Sequence, residues 1–207
     1  MGVGPRTLVL ASGSAARLQL LRDAGFDPEV VVSGVVEDEH DDEDTPTRVL
    51  RLATAKARAV ASGNGEAVVL ACDSLLEFDG RPRGKPVSTE EARSWLVAVR
   101  GRSGTLFTGH CLIDQTSGQE EHGVAATEVR FAQTTDAELD AYLATGDALD
   151  VAGAFTIDGR SAPFVDGVVG DPSNVIGLSL PLFRDLLGRL GIAVFDLWTP
   201  FRTGEPQ

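Results

Sequence analysis

Cysteine is nearly absent from this chain. Cys72 and Cys111 are the only two in 207 residues, too few for a cysteine-rich metal centre or a disulfide framework, so a reducing compartment is expected. Histidine is as sparse: His40, His110 and His122 stand far apart with no HxxxH or HExxH spacing, which offers neither a zinc site nor a local catalytic triad. Basic residues are outnumbered, 18 Lys and Arg against 31 Asp and Glu, for a formal charge of −13. A general surface of that sign does not hold a nucleic-acid backbone. A polyanionic ligand must instead be met by a local group of cations or by a metal ion. No stretch approaches the roughly 20 apolar residues that span a bilayer, and the chain does not open on a basic segment followed by a long apolar run. The expectation is a soluble cytoplasmic protein with neither a nucleic-acid nor a membrane partner.

What is there is enough to build a core, with 43% apolar and 24% charged residues. Residues 7–11 (TLVLA) read as a buried strand that stops at Ser12-Gly13-Ser14, and Leu18, Leu20 and Leu21 then stripe a helix ended by Gly25. Residues 28–33 are a second strand. Seven of the eight residues from Glu37 to Asp44 are acidic, which reads as a solvated loop. Thr45-Pro46 reads as a cap with proline at the first helical position, and Leu50, Ala53, Ala57 and Val60 carry that helix on. The apolar run 67–72 (AVVLAC) reads as a fully buried strand delivering Asp73 to its carboxyl end. A hairpin over 75–83, a capped helix over 88–99, two paired strands over 105–114 and 123–131, and helices over 135–144 and 182–190 complete the pattern. The alternation predicts one α/β domain over 1–207: a mixed, twisted sheet with flanking helices and an antiparallel insertion.

Chemistry in such sheets gathers beyond strand ends, where a helix N-terminus offers free N–H groups to an anion. Ser12, Ser14 and Arg17 fit that place as phosphate ligands, although an ordinary strand-to-helix turn reads the same way. Asp73 is either a strand-end cap or a general base and metal ligand. Lys85, in the stiff Gly84-Lys85-Pro86 loop, and Lys56, among small residues on the second helix, are either solvated or aimed at phosphate. Glu37 is a further candidate for a shared cation, though the acidic run lacks the calcium-loop spacing. Asn174, in a polar turn before the last apolar helix, is either a cap or a ligand contact.

Taken together, residues 8–24 (LVLASGSAARLQLLRDA), 53–57 (ATAKA), 72–74, 84–86, 108–109 and 170–180 (GDPSNVIGLSL) resemble the Maf family in order, over about residues 6–193. The resemblance implies a Maf and inosine-triphosphatase-like fold with a substrate cleft between two lobes, and a homodimer. It implies a nucleoside triphosphate pyrophosphatase that cuts between the α and β phosphates with a divalent metal cation (Mg, Mn or Co). Phosphate binding falls on Ser12, Ser14 and Arg17, general base and metal ligation on Asp73, and the family's Glu, Lys and Lys on Glu37, Lys56 and Lys85. The chain departs from the family pattern at several places. Ala15 and Ala16 replace a Pro and an Arg, Ser74 replaces a Thr, and Glu37 and Glu39 both compete for the family Glu. Asp158 stands where members acting on pyrimidine triphosphates commonly show Gln, and an ionised Asp only accepts hydrogen bonds. A second reading, from a different class, is a regulator of cell division that binds a nucleotide without turnover.

Overall fold

The computed structural model describes residues 6–36, 43–62 and 65–199. Among the described residues seven strands make one sheet in the order β2-β1-β3-β5-β6-β7, with β4 paired to β3 off that path. The strands are β1 (Leu8–Leu10), β2 (Glu29–Val30), β3 (Val68–Phe78), β4 (Arg81–Arg83), β5 (Ser103–Asp114), β6 (Gln119–Phe131) and β7 (Val165–Val169). The helices are α1 (Ala15–Asp23), α2 (Thr45–Ala61), α3 (Thr89–Val99), α4 (Asp136–Leu143), α5 (Pro172–Ile176) and α6 (Leu180–Arg189). Short β1 runs parallel to β2 and β3, whereas β3, β5, β6 and β7 are antiparallel in turn. The sheet is mixed, as the sequence predicts, and its antiparallel part is the larger share.

Local chemistry explains most boundaries. Ser14, Ser88 and Thr135 cap α1, α3 and α4 through their side chains, and Thr135 and Glu138 form a reciprocal capping box. The cap of α2 is Asp44, whose carboxylate accepts from Thr47 N at 2.8 Å. Thr45 and Pro46 are thus the first and second helical residues, and the helix begins one residue earlier than the sequence suggests. Asp44 brings a negative charge that suits a helix N-terminus, which Thr45 lacks. The stretch 170–175 is not a turn: Asp171 caps the short helix α5, and Asn174 is fully buried within it.

The main difference lies in β3. The strand does not stop before Asp73 but runs on through Phe78, about 36 Å at roughly 3.3 Å per residue. Its first part belongs to two apolar clusters on opposite faces. One contains Leu8, Leu10, Leu21, Val68, Leu70 and Phe183, and the other Val9, Ala53, Ala57, Val69 and Ala71. Its last part, Leu76 and Phe78, enters a third cluster with Leu96, Val129, Phe131, Tyr142 and Phe155. Asp73 and Ser74 fall between these cores, a polar step in a strand whose one other charged residue is Glu77.

Candidate functional site

Side chains alternate across a strand, so Asp73 and Ser74 point to opposite faces of β3 and organise two halves of the site. On the α2 face, Lys56 Nζ donates to Asp73 Oδ1 at 2.6 Å, with only 13% and 8% of the two side chains exposed. A buried carboxylate is tolerated at mid-strand because this cation compensates it. The reach is short because α2 lies directly on the sheet. Gly109, the register partner of Asp73, is where it crosses, and a Cβ there would fall 2.3 Å from Val49 O. Four residues along the strand on the same face, Glu77 Oε2 accepts from Thr45 Oγ1 at 2.5 Å, beside the N-terminus of α2.

Lys85 approaches this face from β4. A methyl group at Gly84 would come within 3.3 Å of Leu75 Cδ2, which places the loop on the side that Leu75 shares with Asp73. Lys85 itself is exposed. Asp158 is also exposed and accepts from Thr156 Oγ1, two residues before it. Glu37 and Glu39 lie outside the described residues.

On the other face, Arg17 is held at three points. Its Nε donates to Gly177 O at 2.7 Å, Nη1 to Ser12 Oγ at 3.1 Å and Nη2 to Ser74 Oγ at 2.9 Å. Ser12 Oγ also accepts from Ser14 N at 3.2 Å, and Ser14 Oγ accepts from Arg17 N at 3.3 Å. The loop is therefore a preformed turn. Its hydroxyl hydrogens and the N–H groups of Ala15 and Ala16, which have no acceptor within the helix, are left for an anion. Arg17 stiffens that turn with part of its five-donor fork.

Behind Arg17 lies a polar seam that sequence reasoning only brushed. Ser74 Oγ pairs with Thr108 Oγ1 at 2.9 Å. Asn174 Nδ2 donates to Leu106 O and to Thr127 Oγ1, both at 3.1 Å, so Asn174 ties α5 to the sheet from a fully buried position. His110 belongs to the same seam. Its Nδ1 lies 3.0 Å from Thr108 O, a carbonyl that only accepts, so Nδ1 carries the proton and Nε2 accepts from Ser179 N at 2.8 Å. The imidazole is neutral, and burial pushes its pKa down to about 4. Nothing in the spacing of the histidines announced this. The signal that was there is the pair Thr108-Gly109, whose small and hydroxylic residues mark a crowded polar crossing.

The donor chemistry suits a hard cation in part. Among the described residues no three His, Cys, Asp or Glu side chains gather as a metal cage. Asp73 and Glu77 share one strand face, however, and a magnesium-type ion is commonly held by one or two carboxylates together with substrate phosphates.

A family model described as Maf-like protein matches residues 7–190. The chain belongs to the Maf family. Among its relatives, a protein of Streptomyces avermitilis named nucleoside triphosphate pyrophosphatase is 53% identical over 197 residues, covering 94% of this chain and 96% of that one. A second of the same name, from Streptomyces coelicolor, is 55% identical over 199 residues with the same coverage. A third, from Salinispora tropica, is 46% identical over 207 residues, covering 98% of this chain and 92% of that one. The Maf match spans every element that builds the site, from the Ser12 loop to α6.

Proposed function

We propose that this Maf protein is a nucleoside triphosphate pyrophosphatase, an acid-anhydride hydrolase that cuts its substrate between the α and β phosphates and releases the monophosphate and pyrophosphate. The observation that carries the reading is the buried Asp73–Lys56 pair at mid-strand, set back to back with the Arg17-stiffened Ser12–Ser14 turn. The names of the relatives support the same reaction class.

In this reading the turn at Ser12 and Ser14 and the first N–H groups of α1 take phosphate oxygens. Lys85 and Lys56 offset the charge of the triphosphate, which the acidic surface of the protein would otherwise repel. Asp73 orients a water for attack on the α phosphorus and accepts its proton, while the bond from that phosphorus to the bridging oxygen breaks and pyrophosphate leaves. A divalent cation (Mg, Mn or Co) held by Asp73, with Glu37 or Glu39 as a second carboxylate, would supply Lewis-acid stabilisation of the phosphate charge. Asp158, able only to accept, favours a base edge rich in N–H donors, which suits the removal of non-canonical nucleotides. We place the protein in the cytoplasm as a homodimer. Both cysteines are free and buried, as a reducing compartment allows, and no helix among the described residues is long and apolar enough to cross a membrane.

The experiment is product analysis on a panel of common, methylated and deaminated nucleoside triphosphates with each metal in turn, with Asp73→Asn alongside. Monophosphate plus pyrophosphate from the wild type, with turnover lost and binding kept in Asp73→Asn, is the expected result. Diphosphate plus inorganic phosphate would refute the cleavage position. Binding without any turnover would move the protein to the sensing class. Near wild-type turnover by Asp73→Asn would remove Asp73 from the mechanism.

A further inference from the structure

Two buried hydroxyls stand behind the segment that joins the neighbourhood of Lys85 to Asp158, and the chemistry above makes no use of them. Tyr142, the single tyrosine of the chain, is buried on α4 with its ring edge-on to Phe164, 5.8 Å between centroids. Its hydroxyl donates to Ala154 O at 3.2 Å. Ser161 is fully buried, and its Oγ accepts from Thr156 N at 2.8 Å and donates to Thr156 O at 3.0 Å. The backbone at 154 and 156 is thus bracketed at three atoms from the core side.

The bracketed segment has a conformation that it would not hold unaided. Gly153 has φ +69° and Ala154 φ +65°, and a left-handed backbone crowds the Cβ of any residue but glycine. The turn sends Gly153 N to Gly84 O at 2.9 Å. A side chain at 153 would meet Leu76 Cδ2 at 2.7 Å, so only glycine passes there. Gly84 immediately precedes Lys85, and at the other end of the segment Thr156 Oγ1 donates to Asp158. One turn therefore bears on both exposed side chains.

The geometry points to Tyr142 and Ser161 as positioning residues for triphosphate hydrolysis: their hydroxyls lock the left-handed turn at Gly153-Ala154, and through it the placement of Lys85 and Asp158 on a common substrate. This rests on the function proposed above. A purely packing role makes a different prediction, because Tyr142→Phe keeps the ring against Phe164 and removes only the hydroxyl.

The test is a double-mutant cycle on kcat/KM, using the triphosphate that the wild type cleaves fastest, with amide exchange measured on the same nucleotide-free proteins. Tyr142→Phe is expected to lower kcat/KM about tenfold, the size of one ordinary hydrogen bond. In a Lys85→Ala background the same change should cost less than about twofold. Exchange should quicken together in peptides covering 84–86 and 152–156. Equal losses in both backgrounds, unchanged kcat/KM in a folded Tyr142→Phe, or exchange that quickens at 152–156 but not at 84–86 would each overturn the proposal. Should Tyr142→Phe fail to fold, Ser161→Ala runs through the same cycle against Asp158→Ala, and equal losses there overturn it as well. A wild type that cleaves no triphosphate sinks the functional reading and the positioning role with it. The exchange data then show separately whether the bracket reaches residue 84.

Discussion

Acid should unfold this protein earlier than its carboxylates alone would, and His110 is the reason. The imidazole is buried between β5 and the cap of α6, donates to Thr108 O, and accepts from Ser179 N. Protonating Nε2 would set two N–H groups against each other at a fully buried position. Burial therefore lowers the pKa from 6.5 to about 4 in the folded state, against the milder raising effect of the Thr108 bond. A group depressed on folding binds more protons when unfolded, so its stabilisation is complete above the unfolded value and is lost as pH falls through the folded one. At about 1.4 kcal/mol per pH unit of separation, the full loss is about 3 kcal/mol, of which about 2 kcal/mol should be gone by pH 5. Urea unfolding of the wild type and of His110→Gln, which cannot titrate, should therefore converge by about 2 kcal/mol between pH 7.5 and pH 5. The lowered carboxylates, Asp44, Asp136 and Glu138 among them, act below this window and cancel in the difference. A constant difference across the window, or an imidazole resonance of His110 titrating near 6.5, would refute the argument.

Other substitutions test the two faces of β3. Gly109→Ala would drive a methyl group into the α2 backbone at Val49 and is expected to cost about 3 kcal/mol or more in chemical denaturation. Gly188→Ala on α6 meets nothing within 4 Å and should stabilise by about 0.5–1 kcal/mol. Arg17→Lys cannot span Gly177 O, Ser12 Oγ and Ser74 Oγ at once, so kcat/KM should fall about tenfold in the product assay, together with a drop in melting temperature. Lys56→Met leaves the Asp73 carboxylate buried without its ammonium partner, and a loss of about 3 kcal/mol by urea titration is expected along with most of the turnover.

Where the signals were local, they were legible before any coordinates. Ser88 and Thr135 announce helix starts because a cap bonds to an N–H within three residues, and residues 8–10 read as a strand because all three are apolar. The Ser12-Gly13-Ser14 turn and Arg17 were visible for the same reason. What sequence reasoning misplaced was Asp73. A carboxylate after six apolar residues looks like a strand end, unless one knows that a lysine 17 positions earlier, on a helix lying over Gly109, compensates it in mid-strand. The mixed sheet and its hairpins were legible, but not how the strands order within it. Strand direction is decided by which strands meet, and β3 pairs with β5 across β4 and α3, with register partners such as Val68 and Asp114 far apart in the chain.

Composition and short-range pattern thus determined that this chain folds as an α/β protein, where several of its helices begin, and which Maf-like segments carry its polar chemistry. Only the tertiary structure decided that Arg17 closes on Gly177, 160 positions away, that His110 is a neutral strut, and that Tyr142 and Ser161 stand behind a left-handed turn. Contacts of that kind depend on loop closure and on mutual burial. The physical cost of an unpaired buried polar group, which makes each of them necessary, exists only once the surrounding core has excluded water.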